Sequence, residues 1–271
     1  MPGVPPTRFV YLGPEGTFSE QALRTVPAAD RGVLTPARSV PEALDALRAG
    51  DADAALVPLE NSIGGQVGVT LDELANGEPL IITREVVLPV QFVLAAAEDR
   101  SLDSVRTVAA HPQAGAQCRK WLRDHVPQAT VVDVLSNATA AIDAGAGEFD
   151  AAVCAPIGAS RYKLHVLAKD IADNPDAMTR FALVSRPGPP PPPTGERLGR
   201  YVFFLDCGGH VADAPMGEAL QGLRRICADV RFLGSYPRAK HSEPAPRRAP
   251  GMADEDFTAA ARWLEHLRTG G

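Results

Sequence analysis

Four cysteines in 271 residues, at positions 118, 154, 207 and 227, stand far apart and form no Cys-x-x-Cys pair. That spacing offers neither a metal-ligand pattern nor a disulfide framework, so a reducing cytoplasm is expected and the four are read as small apolar packing residues. No basic run occurs before the far C-terminus and the formal net charge is -6, which argues against a nucleic-acid partner. The longest apolar run, 86–97, is interrupted by Pro89 and Gln91 and is too short to span a bilayer. No basic segment followed by an apolar stretch opens the chain, so no signal peptide is visible and a periplasmic solute-binding protein is disfavoured. A Gly-x-Ser-x-Gly elbow and a Ser/His/Asp arrangement are both missing. What remains is ordinary: 45 % hydrophobic, 22 % charged, and long enough for one large or two smaller domains with a real core.

The informative stretch is Val57-Pro-Leu-Glu-Asn-Ser-Ile-Gly-Gly65. An apolar run from Ala54 reads as a buried strand, broken at Pro58, that delivers Glu60, Asn61 and Ser62 ahead of two glycines. In an α/β sheet, polar groups at the C-terminal end of a strand are where ligands sit.

The same pattern recurs along the chain. A strand at 9–12 runs into Gly13-Pro-Glu-Gly-Thr-Phe-Ser19 and a helix at 20–26, with Thr17 or Ser19 placed to cap it; a Rossmann phosphate loop is weakly supported because the third glycine is absent. A helix at 41–49 follows. The β-branched segment 83–97 is too long for one ordinary strand and reads as a crossover between two lobes. A strand at 105–109 ends at His111-Pro-Gln113, ahead of a helix at 114–125 that carries Gln117. Another at 129–134 ends at Ser136, an N-cap, with Thr139 one turn on. A strand at 149–154, a short helix at 157–162 and the cluster Thr179-Arg-Phe181 before the apolar strand 182–184 complete the set. Two α/β lobes joined by two crossovers, with polar strand ends facing a cleft, suit a small dianionic ligand. His111 has no second His or carboxylate at ligand spacing, so a hydrogen-bonded structural role is favoured over a base or metal ligand.

Four motifs together, Tyr11-Leu-Gly-Pro-Glu-Gly-Thr-Phe-Ser19, Val57 to Gly65, His111-Pro-Gln113 with Gln117-Cys118, and Thr179-Arg-Phe181, resemble prephenate dehydratase in order and spacing. The resemblance implies a catalytic domain with two lobes like those of periplasmic binding proteins, and conversion of prephenate to phenylpyruvate with loss of carbon dioxide and water. Aromatisation supplies the driving force, so no cofactor and no metal is implied. It makes Thr179 the donor to the departing hydroxyl, a positioned hydrogen bond rather than a proton source poised near neutral pH. Asn61, Ser62 and Gln117 match family pocket positions, and Phe181 is expected to wall the ring site. Arg180 is either a carboxylate partner or part of an ion pair. Thr17, Ser19, Ser136 and Thr139 are expected to seat carboxylates or simply to cap helices, His111 and Gln113 to line the pocket, and Glu60 to orient neighbours or bind the substrate hydroxyl. Where the family often has Ser before His-Pro, this chain has Ala110. Arogenate as substrate, and a catalytically silent binding protein on the same scaffold, are the alternatives; the intact Thr179-Arg180-Phe181 argues against the second.

The chain departs from the family at its C-terminal end, where an ACT domain, a β-α-β-β-α-β unit that binds phenylalanine, is usual. Residues 198–210 resemble its third strand, 216–228 its second helix and 230–236 its last strand. Only nineteen residues separate Phe181 from Tyr201, part of them polyproline, whereas a βαβ unit needs about 30. The family's Gly-Ala-Leu loop and Glu-Ser-Arg-Pro motif have no counterpart, so phenylalanine feedback is expected to be lost. The expected organisation is a catalytic domain at 7–185 (one lobe about 7–84 and 177–185, the other about 85–176), a Pro-rich linker at 186–197, a partial ACT-like region at 198–237, and a tail at 238–271 with a short amphipathic helix. A homodimer or homotetramer is expected, with the remnant strand either paired between subunits or poorly ordered.

Overall fold

A computed structural model of the chain describes residues 6–187, 205–227, 229–237, 251 and 253–269. The first segments are β1 (Arg8–Leu12), α1 (Phe18–Arg24), β2 (Val33–Ala37), α2 (Val40–Ala49), β3 (Ala54–Asn61), β4 (Gly65–Gln66), α3 (Gly68–Asn76) and β5 (Ile81–Pro89). Their local causes are plain in α2. The Ser39 hydroxyl accepts from the Glu42 N–H at 3.2 Å, Pro41 sits in the first turn, and Gly50 closes the helix at φ +83°. Val40, Ala43, Leu44 and Leu47 recur at helical spacing and are buried against the sheet.

After a crossing come β6 (Val93–Ala96), β7 (Thr107–Ala110), α4 (Pro112–Gln117), α5 (Arg119–His125), β8 (Thr130–Asp133), α6 (Asn137–Gly145), β9 (Ala151–Cys154), α7 (Pro156–Arg161) and β10 (His165–Ala168). The chain then returns as β11 (Met178–Ser185). Two sheets result, ordered β2-β1-β3-β11-β5 and β8-β7-β9-β6-β10, with the short β4 paired to β3. Each opens with three parallel strands and ends with two antiparallel ones. The lobes are thus two copies of one topology, and in each the chain reverses beside the central strand. That reversal opens a crevice at the carboxyl ends of β1 and β3 in one lobe, and of β7 and β9 in the other.

Several boundaries differ from the sequence reading. The expected single crossover at 83–97 is two strands, one per lobe; Pro89 cannot continue the ladder, and only 90–92 cross. The first sheet therefore keeps β5 to Pro89, past the boundary expected near 84. The expected helix at 114–125 is two helices that meet at Cys118, because the Asp173 carboxylate takes the N–H groups of Lys120 and Trp121 and starts the second one afresh. Cys118 and Cys154 are buried packing residues as read, but Cys207 and Cys227 are exposed.

The C-terminal region departs further. Residues 188–204, with most of the Pro-rich linker and the start of the expected third strand, lie outside the described residues, as do Ala228 and residues 238–250 of the expected tail. Residues 205–210 form no strand. Two helices follow, α8 (Ala214–Ile226) and α9 (Asp254–Thr269), which pack on each other, with the Ala214 N–H donating to Asp254 at 2.8 Å. The expected last strand, 230–236, joins no ladder. It runs along the outer edge of β5 instead, where the Ile82 N–H donates to the Leu233 carbonyl at 2.5 Å and Leu233 and Tyr236 pack on the first lobe's core. No helix among the described residues is long and apolar enough to cross a membrane.

The Asp150 carboxylate pins the start of β7. It accepts the N–H groups of Arg106 and Thr107 at 2.8 and 3.0 Å and pairs with Arg100 at 2.7 Å. The Arg106 N–H foremost, then the Thr107 N–H and the Arg100 guanidinium, hold this carboxyl below the usual range against the opposing effect of burial. Asp150→Asn is expected to cost about 2 kcal/mol near neutral pH in urea unfolding. Because the folded pKa is depressed, this contribution is present above the unfolded carboxyl value and fades as pH falls through the folded one. The wild-type and variant curves should accordingly converge in acid.

Candidate active site

The loop after β1 and the helix after β9 bring the lobes together. Gly16 adopts φ +86°, which lets its N–H donate to Glu20 at 2.6 Å. Glu20 is only 1 % exposed and is held by Arg24 at 2.7 Å and by Arg161 of the opposite lobe at 3.3 Å. Arg161 also pairs with Glu15 at 2.8 Å, and the Tyr162 hydroxyl donates to the Glu15 carbonyl at 3.0 Å. Burial alone would lower the Arg161 pKa, but Glu20 and Glu15 raise it, so the guanidinium stays charged. Backbones touch here as well: a Cβ on Gly158 would lie 2.9 Å from the Gly16 carbonyl oxygen. Phe18 meets Phe92 edge-on, with centroids 5.3 Å apart, where the chain crosses between lobes. The crevices of both lobes therefore open onto one cleft.

On the first lobe's side, β11 lies between β3 and β5 with Thr179 opposite Asn61. The Asn61 amide is used at both ends. Its Oδ1 accepts the N–H groups of Ile63 and Gly64 at 2.9 and 3.0 Å, and its Nδ2 donates to the Thr179 Oγ1 at 2.8 Å. Two donors on the carbonyl polarise the amide and strengthen the N–H it gives to threonine. Thr179 Oγ1 already accepts a hydrogen bond, so its own proton is the group left to donate. The Ser62 hydroxyl accepts from the Met178 N–H at 3.0 Å, and the Ser62 N–H donates to the Met178 carbonyl at 2.9 Å. Asn61, expected to touch ligand, is thus first of all the residue that orients Thr179.

The other candidates divide by what their polar atoms already do. Thr17 caps α1, accepting from the Glu20 N–H at 3.5 Å, and donates to the Leu12 carbonyl at 3.3 Å. Ser136 caps α6 by accepting from the Thr139 N–H at 2.9 Å and shares a 2.8 Å bond with the Thr139 hydroxyl. His111 caps α4 through Nδ1, which accepts from the Gln113 N–H at 3.3 Å. Gln113 and Glu60 are exposed, and Ser19 is buried beside Glu20. Phe181 is only 2 % exposed and packs with Tyr11, Leu23, Val86 and Leu88, so it supports the sheet from beneath and does not wall an open ring site. Arg180 forms ion pairs with Glu85, at 2.5 Å, and with Asp206. Of its two sequence readings, the ion pair is what is built.

Three buried amide carbonyl oxygens, Gln21 Oε1, Gln117 Oε1 and Asn137 Oδ1, have no hydrogen-bond partner among the described residues. Gln117 was expected in the pocket; Asn137 was passed over beside its capping neighbour Ser136. Glu20, Arg161 and Tyr162 were also passed over, since nothing in their local sequence marks them as partners across a cleft. Among the described residues no group of three His, Cys, Asp or Glu side chains could hold a metal ion.

Comparison with known proteins points one way. The sequence profile described as prephenate dehydratase matches residues 9–189. A prephenate dehydratase of Amycolatopsis methanolica is 44 % identical over 305 aligned positions, covering 97 % of this chain and 99 % of that protein. The crystal structure of a prephenate dehydratase from Arthrobacter aurescens in complex with L-Phe superposes with a TM-score of 0.84 at 37 % identity, covering 97 % of this chain and 100 % of that one. A prephenate dehydratase from Staphylococcus aureus gives a TM-score of 0.56 at 25 % identity over 66 % of this chain and 67 % of that one.

The contact between Gly16 and Gly158 sets how closely the lobes approach. Gly158→Ala should push them apart, weakening ligand binding in the cleft several-fold and costing about 1–3 kcal/mol of stability. Ligand titration together with thermal melting would measure both effects. An alanine variant that binds and melts as the wild type would show that the contact is not limiting.

Proposed function

This chain belongs to the prephenate dehydratase family, and from that premise we propose that Thr179 is the donor that meets the hydroxyl leaving prephenate. The family is a lyase of phenylalanine biosynthesis, acting on a small molecule: prephenate loses carbon dioxide and water and becomes phenylpyruvate. The reaction needs little from the protein beyond restraint, because forming the aromatic ring drives it. The enzyme must hold two carboxylates and place one donor against an oxygen that gains negative charge as its bond to carbon breaks. The single observation that carries the reading is the Asn61 to Thr179 hydrogen bond, which fills one lone pair of the hydroxyl and leaves its O–H free to donate a hydrogen bond. As charge builds on the leaving oxygen, that bond strengthens, so the interaction is worth more in the transition state than in the ground state.

The remaining roles belong to the same proposal. Ser62, Gln117 and Asn61 contact the bound substrate, with Ser62 free to donate its hydroxyl proton. Ser19, Ser136, Thr139, His111 and Gln113 shape the cleft through the helices they start or flank, and Glu60 borders it. Arg180 and Phe181 support Thr179 from its own strand. The catalytic unit runs over 7–185 and is followed by the ACT-like remnant at 198–237. The enzyme works in the cytoplasm as a homodimer or homotetramer.

Loss of phenylalanine feedback is part of the reading as well. The 305 aligned positions shared with the Amycolatopsis methanolica enzyme exceed the 271 residues of this chain, so at least 34 positions of that relative have no counterpart here. That is about the size of one βαβ unit. The missing length supports the absence of half an ACT domain, and with it the phenylalanine motifs.

Phenylpyruvate formation from prephenate tests both claims. Thr179→Val should lower kcat by about 100-fold or more with KM little changed, while Thr179→Ser retains most of the activity. A Thr179→Val enzyme with wild-type kcat would sink the assignment. Phenylalanine titrated into the wild-type assay should leave the rate unchanged; saturable inhibition that is not competitive with prephenate would show that a regulatory site survives.

A further inference from the structure

Arg180 sits between Thr179 and Phe181, yet its partners lie on the other face of the sheet from Phe181. Phe181 belongs to the core that holds Tyr11 and Leu23, whereas Tyr236 packs against the opposite core, the one that holds Leu59 and Ala182. The Arg180 Nε donates to Glu85 Oε1 of the neighbouring strand at 2.5 Å, and its Nη2 donates to the Tyr236 hydroxyl at 3.3 Å and pairs with Asp206. Glu85 is 7 % exposed and Asp206 is 64 % exposed, so one carboxylate comes from the lobe's interior and the other from the C-terminal region.

The segment that brings Tyr236 is itself held to the lobe at several points. The Arg231 guanidinium donates to the carbonyls of Leu74 and Gly77 at 3.1 and 2.6 Å, and the Ile82 N–H holds the Leu233 carbonyl. Gly234, at φ +134°, presses so closely on Ile82 that a Cβ there would lie 2.2 Å from the Ile82 carbonyl oxygen.

We propose that residues 229–237, together with Asp206, form a positioning strut for the catalytic strand of their own chain, gripping Arg180 and so fixing the adjacent Thr179. The proposal rests on the reading of Thr179 given above. Its physical need is visible in β11. The pairing of β11 with β3 slips between Arg180 and Phe181, where Phe181 faces Pro58 and Leu59 is skipped. A bulge weakens the ladder at the point where Thr179 must be held to within a fraction of an ångström. An arginine tied to two carboxylates and a phenol, one residue from Thr179, removes that freedom. The C-terminal region that has lost its ladder thereby serves the chemistry of the lobe it lies on.

The test uses the full chain carrying Tyr236→Phe, Asp206→Asn or Gly234→Ala, each alone and combined with Thr179→Ala. The last of the three strut variants lifts the segment from β5 without touching Arg180. Each alone should lower kcat by between about 5- and 100-fold with KM within twofold; Tyr236→Phe and Asp206→Asn should leave the melting temperature of the catalytic lobes unchanged, and Asp206→Glu should keep most of the activity that Asp206→Asn loses. In the Thr179→Ala background the same changes should cost nothing further, because they act through Thr179. Full kcat in the strut variants, while Thr179→Ala alone collapses, would overturn the strut and leave Thr179 standing. Losses that add undiminished to Thr179→Ala would also overturn it. A Thr179→Ala enzyme with full turnover would remove the Thr179 reading, and the strut with it.

Discussion

The antiparallel slot that β11 fills between β3 and β5 is the constraint on which the rest depends. The last strand of the catalytic region enters the middle of the first sheet, pairing with β3 over 179–184 and with β5 over 178–185. Its first residues therefore sit where the chain has just returned from the second lobe, and the Val90 N–H donates to the Ala177 carbonyl at 2.8 Å to bind the two crossings side by side. The donor hydroxyl and the crossing between lobes are consequently one place. Any change in lobe approach, whether through the Glu15–Arg161–Glu20 clamp or the Gly16–Gly158 contact, acts on the strand that carries Thr179.

The chemistry built there is a chain of neutral donors. Backbone N–H groups of the Ile63–Gly64 turn feed the Asn61 carbonyl and the Asn61 amide feeds the Thr179 oxygen, which on the reading proposed above leaves the Thr179 proton for the ligand. None of these groups changes charge near neutral pH. A threonine in this setting can hold its geometry and its protonation state over a wide range, which suits a reaction whose driving force lies in the substrate. The charged groups near the cleft, by contrast, are engaged with one another. Arg161 is matched to Glu15 and Glu20, and Arg180 to Glu85 and Asp206. Their work is to hold elements together.

Much of this was legible in the sequence because it is local. Strand ends that deliver Asn61-Ser62 and His111-Pro112, the cap at Ser136, and the alternation of strands and helices all follow from short-range rules, and the structure has them. The hydrogen bond from Asn61 to Thr179 spans 118 residues, and the residue types alone could not say that one would point at the other. The partners of Arg161 were invisible for the same reason, since an ion pair across a cleft leaves no spacing in the sequence. Phe181 misled because a strand alternates its faces: an aromatic beside Thr179 and Arg180 looks like a pocket wall until the bulge and the opposing Tyr11 and Leu23 show it to be core. The two cysteines read as packing residues but found exposed, Cys207 and Cys227, both lie in the region where the expected domain is incomplete.

The course of 229–237 follows from the edge that β5 leaves open. An apolar segment deprived of its neighbouring strand has either to remain open, with unpaired backbone groups inviting association, or to find another edge. β5 offers one, being the outermost strand of the first sheet and still partly apolar on its flank. A full extra strand is not formed there, because Gly234 crosses at φ +134° and only Leu233 meets the ladder. What the segment gains is burial of Leu233 and Tyr236 on the lobe's core, and what the lobe gains is cover for an edge and a phenol at Arg180. One docking event thus buries the apolar side chains of 229–237 and reaches Arg180, the residue beside Thr179, the donor proposed above.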